Sequence, residues 1–423
     1  CAIIVEKEKR GNKMKMDNEK YIRSLVGHIP MHRPVAVLVI YKDNKVLLQK
    51  RSDNGMWALH GGGMELGETY LETLRREIKE ELKKCVDRGI FGYSIVSEQW
   101  YDAVVYWWNK RHNFKMEKEW LQFCSGVVSA VNCVIKRVTN LGDNVLVQTP
   151  VYNAFFSCIK NQGRDIVENE LTYDGKTYYI DFEDLEKKLS NPLTTMMILC
   201  NPQNPSGRIW TKEEMDQIIK ICKKYQVKII SDEIHMDIQL RDRKHIPLLS
   251  YIHEYDELYT AASSSKTFNT PGLIGSYLMI PNEEVREKFL MHTRRKDFLN
   301  SVSIFGMYAT MIGYTQCDDY IDQLNDYIKE NMKIVEEFIK EELPDFKFKT
   351  PDGTYLAWID ARDVPYTAEE IQDALVNVGG IGIMKGEIYG GPKYLRMNIG
   401  CPQSKLKEGL RRFKIAMDAL YSK

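Results

Sequence analysis

An α/β fold built on a largely parallel sheet is the architecture this 423-residue sequence predicts. Three observations carry it. From about residue 95, short apolar stretches alternate with longer helical patterns, the mark of strands joined by crossover helices. The length allows two or three domains, and 43% hydrophobic with 28% charged residues is an ordinary globular composition. After about residue 300 the pattern becomes helical and then mixed, which predicts a second, smaller α+β lobe.

Composition also excludes some classes. Lys+Arg and Asp+Glu both number 59, so the net charge is zero; nucleic-acid and membrane-surface proteins ordinarily carry a basic excess. The longest apolar runs, such as VAVLVIY at 35–41, are too short to span a bilayer. Nine cysteines are scattered with no C-x-x-C pair and no His clustered near them. That reads as buried thiols in a reducing, cytoplasmic compartment. Residue 1 is Cys, and Met14 or Met16 is the expected natural start within a longer or misread frame.

In chain order, residues 1–32 form a polar, irregular arm with a short helix expected near 17–26. RPVAVLVIYKDNKVLLQKR reads as a hairpin turning at Lys42–Lys45. The Gly-rich loop HGGGMELGE follows. An amphipathic helix then runs from about Thr69, with Leu71, Leu74, Ile78 and Leu82 at helical spacing. The strands expected beyond it are NVLVQTP (144–150), MMILCNP (196–202), VKIISDEI (227–234), LYTAASSS (258–265) and SYLMIP (276–281). The organisation expected is an arm (1–32), a segment at 33–82, a large domain at 83–300 and a small domain at 301–423.

Two constellations carry chemistry. In GGMELGETYLETLRREIKEEL, Glu77, Glu80 and Glu81 fall at i, i+3 and i+4 on one helix face. Carboxylates that close repel unless a hard cation such as Mg²⁺ joins them; a Glu/Lys run alone is more often a solvated face. Gly62, Glu68 and Arg76 at fixed spacing favour the metal. Residues 17–82 resemble the first part of a Nudix hydrolase. The resemblance implies that Glu77, Glu80 and Glu81 bind Mg²⁺ and help hydrolyse substituted nucleoside diphosphates. The pattern departs at Lys83 and Lys84, where the family has Gly and an apolar residue, and the family's further strands do not follow.

The second constellation is spread along the chain. SSSKTFNTPG sets Lys266 behind three serines after an apolar strand, where an amine can form a Schiff base and hydroxyls can bind phosphate. SDEIH puts Asp232 at a strand's C-terminal end, where α/β sheets bind ligands and a carboxylate can keep a pyridinium protonated. NPQNPSG places Asn204 on a turn past another strand. SGVVSAVNCVIKRV opens a helix on small residues, so its free N–H groups can face a phosphate. TPVYNAF offers the Tyr152 ring. Each has a bland reading as loop, cap, turn or core; their order and spacing together are specific.

Residues 83–423 resemble the fold-type-I pyridoxal phosphate enzymes, and among them the C–S β-lyases related to cystathionine β-lyase. VDRGIFGYS, CNPQNPSGRIWTKEE, SDEIHMDI, SSSKTFNTPGL and PDGTYLAWID carry the likeness. The resemblance implies pyridoxal 5′-phosphate held by Lys266, with Asp232 on the ring nitrogen. It places Asn204 and His235 at the 3′-oxygen, Tyr152 over the ring, and Val128, Ser129 and Ser263 at the phosphate. Tyr93 would reach the phosphate of the other subunit in a homodimer, and Arg396 would clamp the carboxylate of an amino-acid substrate. Residues 267–281 contain no Arg, although many relatives have one there for the phosphate. The two resemblances meet within one helix at IKEEL. A lyase is the expected activity, His235 standing where many aminotransferases have Tyr. An aminotransferase, a Nudix hydrolase and a non-catalytic remnant stay open.

Overall fold

The computed structural model describes residues 41–42, 45–46, 48–50, 57–59, 79–80, 82–89, 91–297 and 302–422. The chain divides into two compact units, 1–77 and 78–423. In the first, Tyr41–Lys42 pairs antiparallel with Lys45–Val46, the hairpin turn expected from the sequence. A second antiparallel pair, Leu48–Lys50 with Trp57–Leu59, was not expected. The helix near 17–26 and the start of the helix at Thr69 lie outside the described residues, as do Glu77 and Glu81. Glu80 sits on an exposed helical turn, and no group of three or more potential metal ligands occurs among the described residues.

The second unit is built on a seven-stranded sheet. Its strands are β1 (Leu121–Cys124), β2 (Asn144–Val147), β3 (Asp165–Glu168), β4 (Thr194–Cys200), β5 (Lys228–Asp232), β6 (Leu258–Ser263) and β7 (Ser276–Met279). They lie in the order β1-β7-β6-β5-β4-β2-β3. Pairings among β3, β2, β4, β5 and β6 are parallel. β7 runs antiparallel to both β6 and β1, so the largely parallel sheet is mixed on this side. The cause is the connection. A parallel return needs a crossover, usually a helix; residues 264–275 hold only turns and the short 3₁₀ segment Pro271–Leu273.

β4, β5 and β6 are buried almost throughout, so they read as continuous apolar runs rather than alternating ones. Two helices matter for the site. α1 (Glu98–His112) is capped by Ser97, whose hydroxyl accepts the Trp100 N–H, and buries Trp100, Trp107 and Trp108. α2 (Val127–Val138) buries Val127, Val131, Val134 and Ile135 against Val145, Ile198 and Ile230 of the sheet. The small lobe pairs β8 (Leu356–Asp360), β9 (Met384–Lys385) and β10 (Tyr394–Asn398) antiparallel, with β10 central. Long helices α3 (Ile304–Gln316), α4 (Asp318–Glu342) and α5 (Gln403–Tyr421) complete this half. No described helix is long and apolar enough to cross a membrane, and no disulfide links the described cysteines.

Candidate active site

The C-terminal ends of β4, β5 and β6 deliver three of the residues named from the sequence. β5 stops at Asp232, which is buried, and its Oδ1 accepts the Ile234 N–H at 3.0 Å. β6 stops at Ser263, and the turn at 264–269 presents half-buried Lys266. β4 stops at Cys200, and the following turn holds buried Asn204. Parallel register puts Cys200 beside Asp232 and Asp232 beside Ala261, so these ends are neighbours by construction.

The fourth residue comes from the small lobe. Arg396 on β10 donates from Nη1 to Asn204 Oδ1 at 3.1 Å, across 192 residues of sequence. Its guanidinium carbon lies 4.4 Å from the Tyr389 ring centroid. It forms no ion pair with a carboxylate among the described residues. Burial lowers its pKa, a cost only partly offset by Tyr389, Tyr152 and Tyr355. A desolvated guanidinium without an anion is a site for one.

Electrostatics set the remaining groups. Burial pushes the Asp232 carboxyl up to about 7; the Ile234 N–H and the charge of Lys266 oppose it. Burial likewise lowers Lys266, with Asp232 pulling the other way and Arg396 adding to the fall. Lys266 forms no hydrogen bond or ion pair within 4 Å among the described residues. His235 is buried and driven down to about 3 by burial, then by Lys266 and Arg396, so it is neutral at pH 7. Its ring meets Tyr355 edge-on at 5.4 Å, and its Nδ1 has no partner among the described residues. Tyr152 is half-buried, its hydroxyl held above the usual range by burial and by Asp232.

These orphaned groups fit pyridoxal 5′-phosphate. A carboxylate short of a cation suits a protonated ring nitrogen, a desolvated amine suits an aldehyde, and a buried imidazole nitrogen suits a phenolic oxygen. At the phosphate end the fit is uneven. The N-cap of α2 is Gly126, which provides no side-chain cap for the N–H groups that a helix start leaves without intrahelical partners; Val128 is half-buried and Ser129 exposed. Ser263, expected at the phosphate, is buried and makes local hydrogen bonds. Its Oγ lies 2.7 Å from the Gly275 carbonyl and 2.9 Å from Ser265 Oγ, and it accepts the Ser265 N–H at 3.1 Å. The single proton of that hydroxyl is therefore already engaged in shaping the Lys266 turn. Tyr93 contacts none of this; it is fully exposed, flanked by exposed Phe91 and Ile95. Tyr355 and Tyr389 were not singled out from the sequence, although Tyr355 stands in PDGTYLAWID. Only the folded small lobe brings them to His235 and Arg396.

Residues 63–413 match the family described as aminotransferase class I and II. That match takes in Glu77, Glu80 and Glu81. Cystathionine beta-lyase PatB of Bacillus subtilis (strain 168) is 38% identical over 343 residues, 80% of this chain and 88% of the relative. Protein MalY of Escherichia coli (strain K12) is 32% identical over 336 residues, covering 79% and 86% of the two chains. Cystalysin from Treponema denticola, whose crystal structure contains a pyridoxal 5′-phosphate cofactor, superposes with a TM-score of 0.78. It is 34% identical, covering 81% of this chain and 88% of that chain.

Proposed function

The chain belongs to the aminotransferase class I and II family, and from that membership we propose that it is a pyridoxal phosphate-dependent C–S β-lyase acting on L-cystathionine or a related cysteine thioether. The observation that supports the site assignment is that Asp232 and Arg396 each keep hydrogen-bonding capacity beyond one bond, while the Lys266 amine and His235 Nδ1 have no partner among the described residues. When bound, pyridoxal phosphate supplies an aldehyde that condenses with amines and a ring that accepts an electron pair.

The chain's own residues do the rest. Arg396 takes the substrate carboxylate through its forked N–H groups, and Asn204 holds the guanidinium in place. With its oxygen given to Arg396, Asn204 offers only N–H donors to the cofactor's 3′-oxygen. The Lys266 amine would take the substrate's Cα proton; its lowered pKa leaves more of it in the basic form. Asp232 would keep a proton on the ring nitrogen, and Tyr152 would pack over the ring. The Cβ–S bond would break, the leaving thiolate taking back the proton that Lys266 removed from Cα, and water would convert the remaining fragment to pyruvate and ammonia. Tyr93, with Phe91 and Ile95 beside it, is assigned to a homodimer in which it reaches the neighbour's phosphate. Light scattering should give twice the chain mass; an active monomer would remove that assignment. The absence of described disulfides agrees with a cytoplasmic setting.

The test is pyruvate formation from L-cystathionine with cofactor and no added keto acid. Pyruvate in step with thiol supports the lyase. Turnover that needs a keto acid and returns an amino acid means an aminotransferase. Residues 33–82 enter this reading without a catalytic role: their two short strand pairs are marginal in water on their own. The purified chain should hydrolyse neither ADP-ribose nor nucleoside triphosphates with Mg²⁺. Turnover lost in Glu80→Gln and Glu81→Gln would overturn that.

A further inference from the structure

The segment Asp232-Glu233-Ile234-His235-Met236-Asp237 serves two sets of partners. Asp232 and His235 feel the charge of Lys266. Glu233 and Asp237 are tied instead into a buried polar array. Asp237 Oδ2 accepts the Thr267 hydroxyl at 2.6 Å. The Trp107 indole N–H lies 3.1 and 3.2 Å from its two oxygens, and His112 Nε2 lies 2.9 Å from Oδ1. The His112 ring stands perpendicular to His245 at 5.4 Å. His245 Nε2 meets Glu233 Oε2 at 2.8 Å, and Glu233 Oε1 accepts the Leu248 N–H at 2.9 Å. The side chains of His112, Asp237, His245 and Glu233 are at most 1% exposed.

The array touches each end of the site one residue along the chain. Thr267 follows Lys266, and Glu233 follows Asp232. Its members come from α1, the loop after β5, the residues before Leu248 and the turn after β6, segments that no local rule brings together. Resting on the function just proposed, we propose that the Asp237 carboxylate is a positioning residue for Lys266, holding the turn at Thr267 so that the lysine leaves the backbone at one fixed point.

The donor count explains the residue type. Three donors from side chains converge on Asp237, and Asn325 Nδ2 donates to its backbone carbonyl at 2.9 Å. A carboxylate offers about four lone-pair sites and no competing donor; an amide would aim N–H groups at N–H groups. Burial opposes ionisation of Asp237, but His112, Thr267 and Arg111 outweigh it and hold the carboxyl below its usual range. Burial lowers His112, leaving it a neutral donor. Tyr277 and Tyr314 also feel the Asp237 charge. Misplacing a reacting group by about 1 Å costs on the order of a hundred-fold in rate, so a small relaxation of this turn is kinetically visible.

The experiment uses the full chain loaded with pyridoxal phosphate and compares Thr267→Val with Thr267→Ser. Valine keeps the volume and removes the donor. Two readouts are taken: kcat and KM for pyruvate release, and the pH midpoint of the visible absorbance band without substrate. Thr267→Val should lower kcat about ten-fold with KM within about two-fold and should move the midpoint; Thr267→Ser should restore both. Wild-type kcat and midpoint in Thr267→Val overturn the inference, as does a kcat loss with an unmoved midpoint, which is mere loosening. If Thr267→Val does not fold, Thr267→Ala is read the same way, and a wild-type midpoint there overturns it equally. Wild-type chain that takes up no cofactor overturns the proposed function, and this inference with it.

Discussion

Lys266→Ala is expected to lower pyruvate release by at least about 10³-fold, because under the proposed function one substitution removes both the cofactor's covalent anchor and the base for the Cα proton. Borohydride reduction of the loaded wild type traps cofactor on the peptide containing Lys266, and the variant traps none. The reason is local. Lys266 sits on the turn directly after β6, half-buried, with its charge disfavoured by desolvation and only Asp232 pulling the other way. Lysines on the surface helices are paired or solvated, as Lys212 is with Asp216 at 2.7 Å, and gain nothing from giving up a proton. Trapped label retained in Lys266→Ala would place the anchor elsewhere.

Asp232→Asn still takes up cofactor but turns over about a hundred-fold more slowly or worse, because an amide cannot hold a proton on the ring nitrogen. The same substitution changes how stability depends on pH. In the cofactor-free chain burial raises Asp232 to about 7, against an ordinary value of 3.8. Between those values the folded state keeps a proton that the unfolded state has released. This stabilising contribution is complete below the unfolded value and is lost as pH rises through about 7. The cofactor-free wild type should therefore lose thermal stability from about pH 4 to about pH 7, and Asp232→Asn should lose less. Parallel melting curves across that range would mean that Asp232 ionises without cost, and near-wild-type turnover in the variant would make it structural only.

Much of the site was legible because strand ends are local features. An apolar run followed by Asp232, another followed by three serines and Lys266, and a third followed by the turn at Asn204 can each be read within about ten residues. Parallel pairing then makes neighbours of such ends without further information. The Nudix-like spacing at Glu77, Glu80 and Glu81 was equally local, but spacing on one helix names a face and not what surrounds it.

By itself, then, the sequence determined the α/β class, the strands that carry the chemistry, and the identities of Lys266, Asp232, His235 and Asn204 as the groups presented there. Tertiary structure alone decided the reversed direction of β7, the engagement of the Ser263 hydroxyl by Gly275, the bond from Arg396 to Asn204 and the buried array at Asp237. The physical reason is range. Propensity, periodicity and turn chemistry act over a few residues, whereas the partner of a buried donor or charge is selected by which distant segments pack against it. Burial then makes an unmatched partner costly enough that only one arrangement survives.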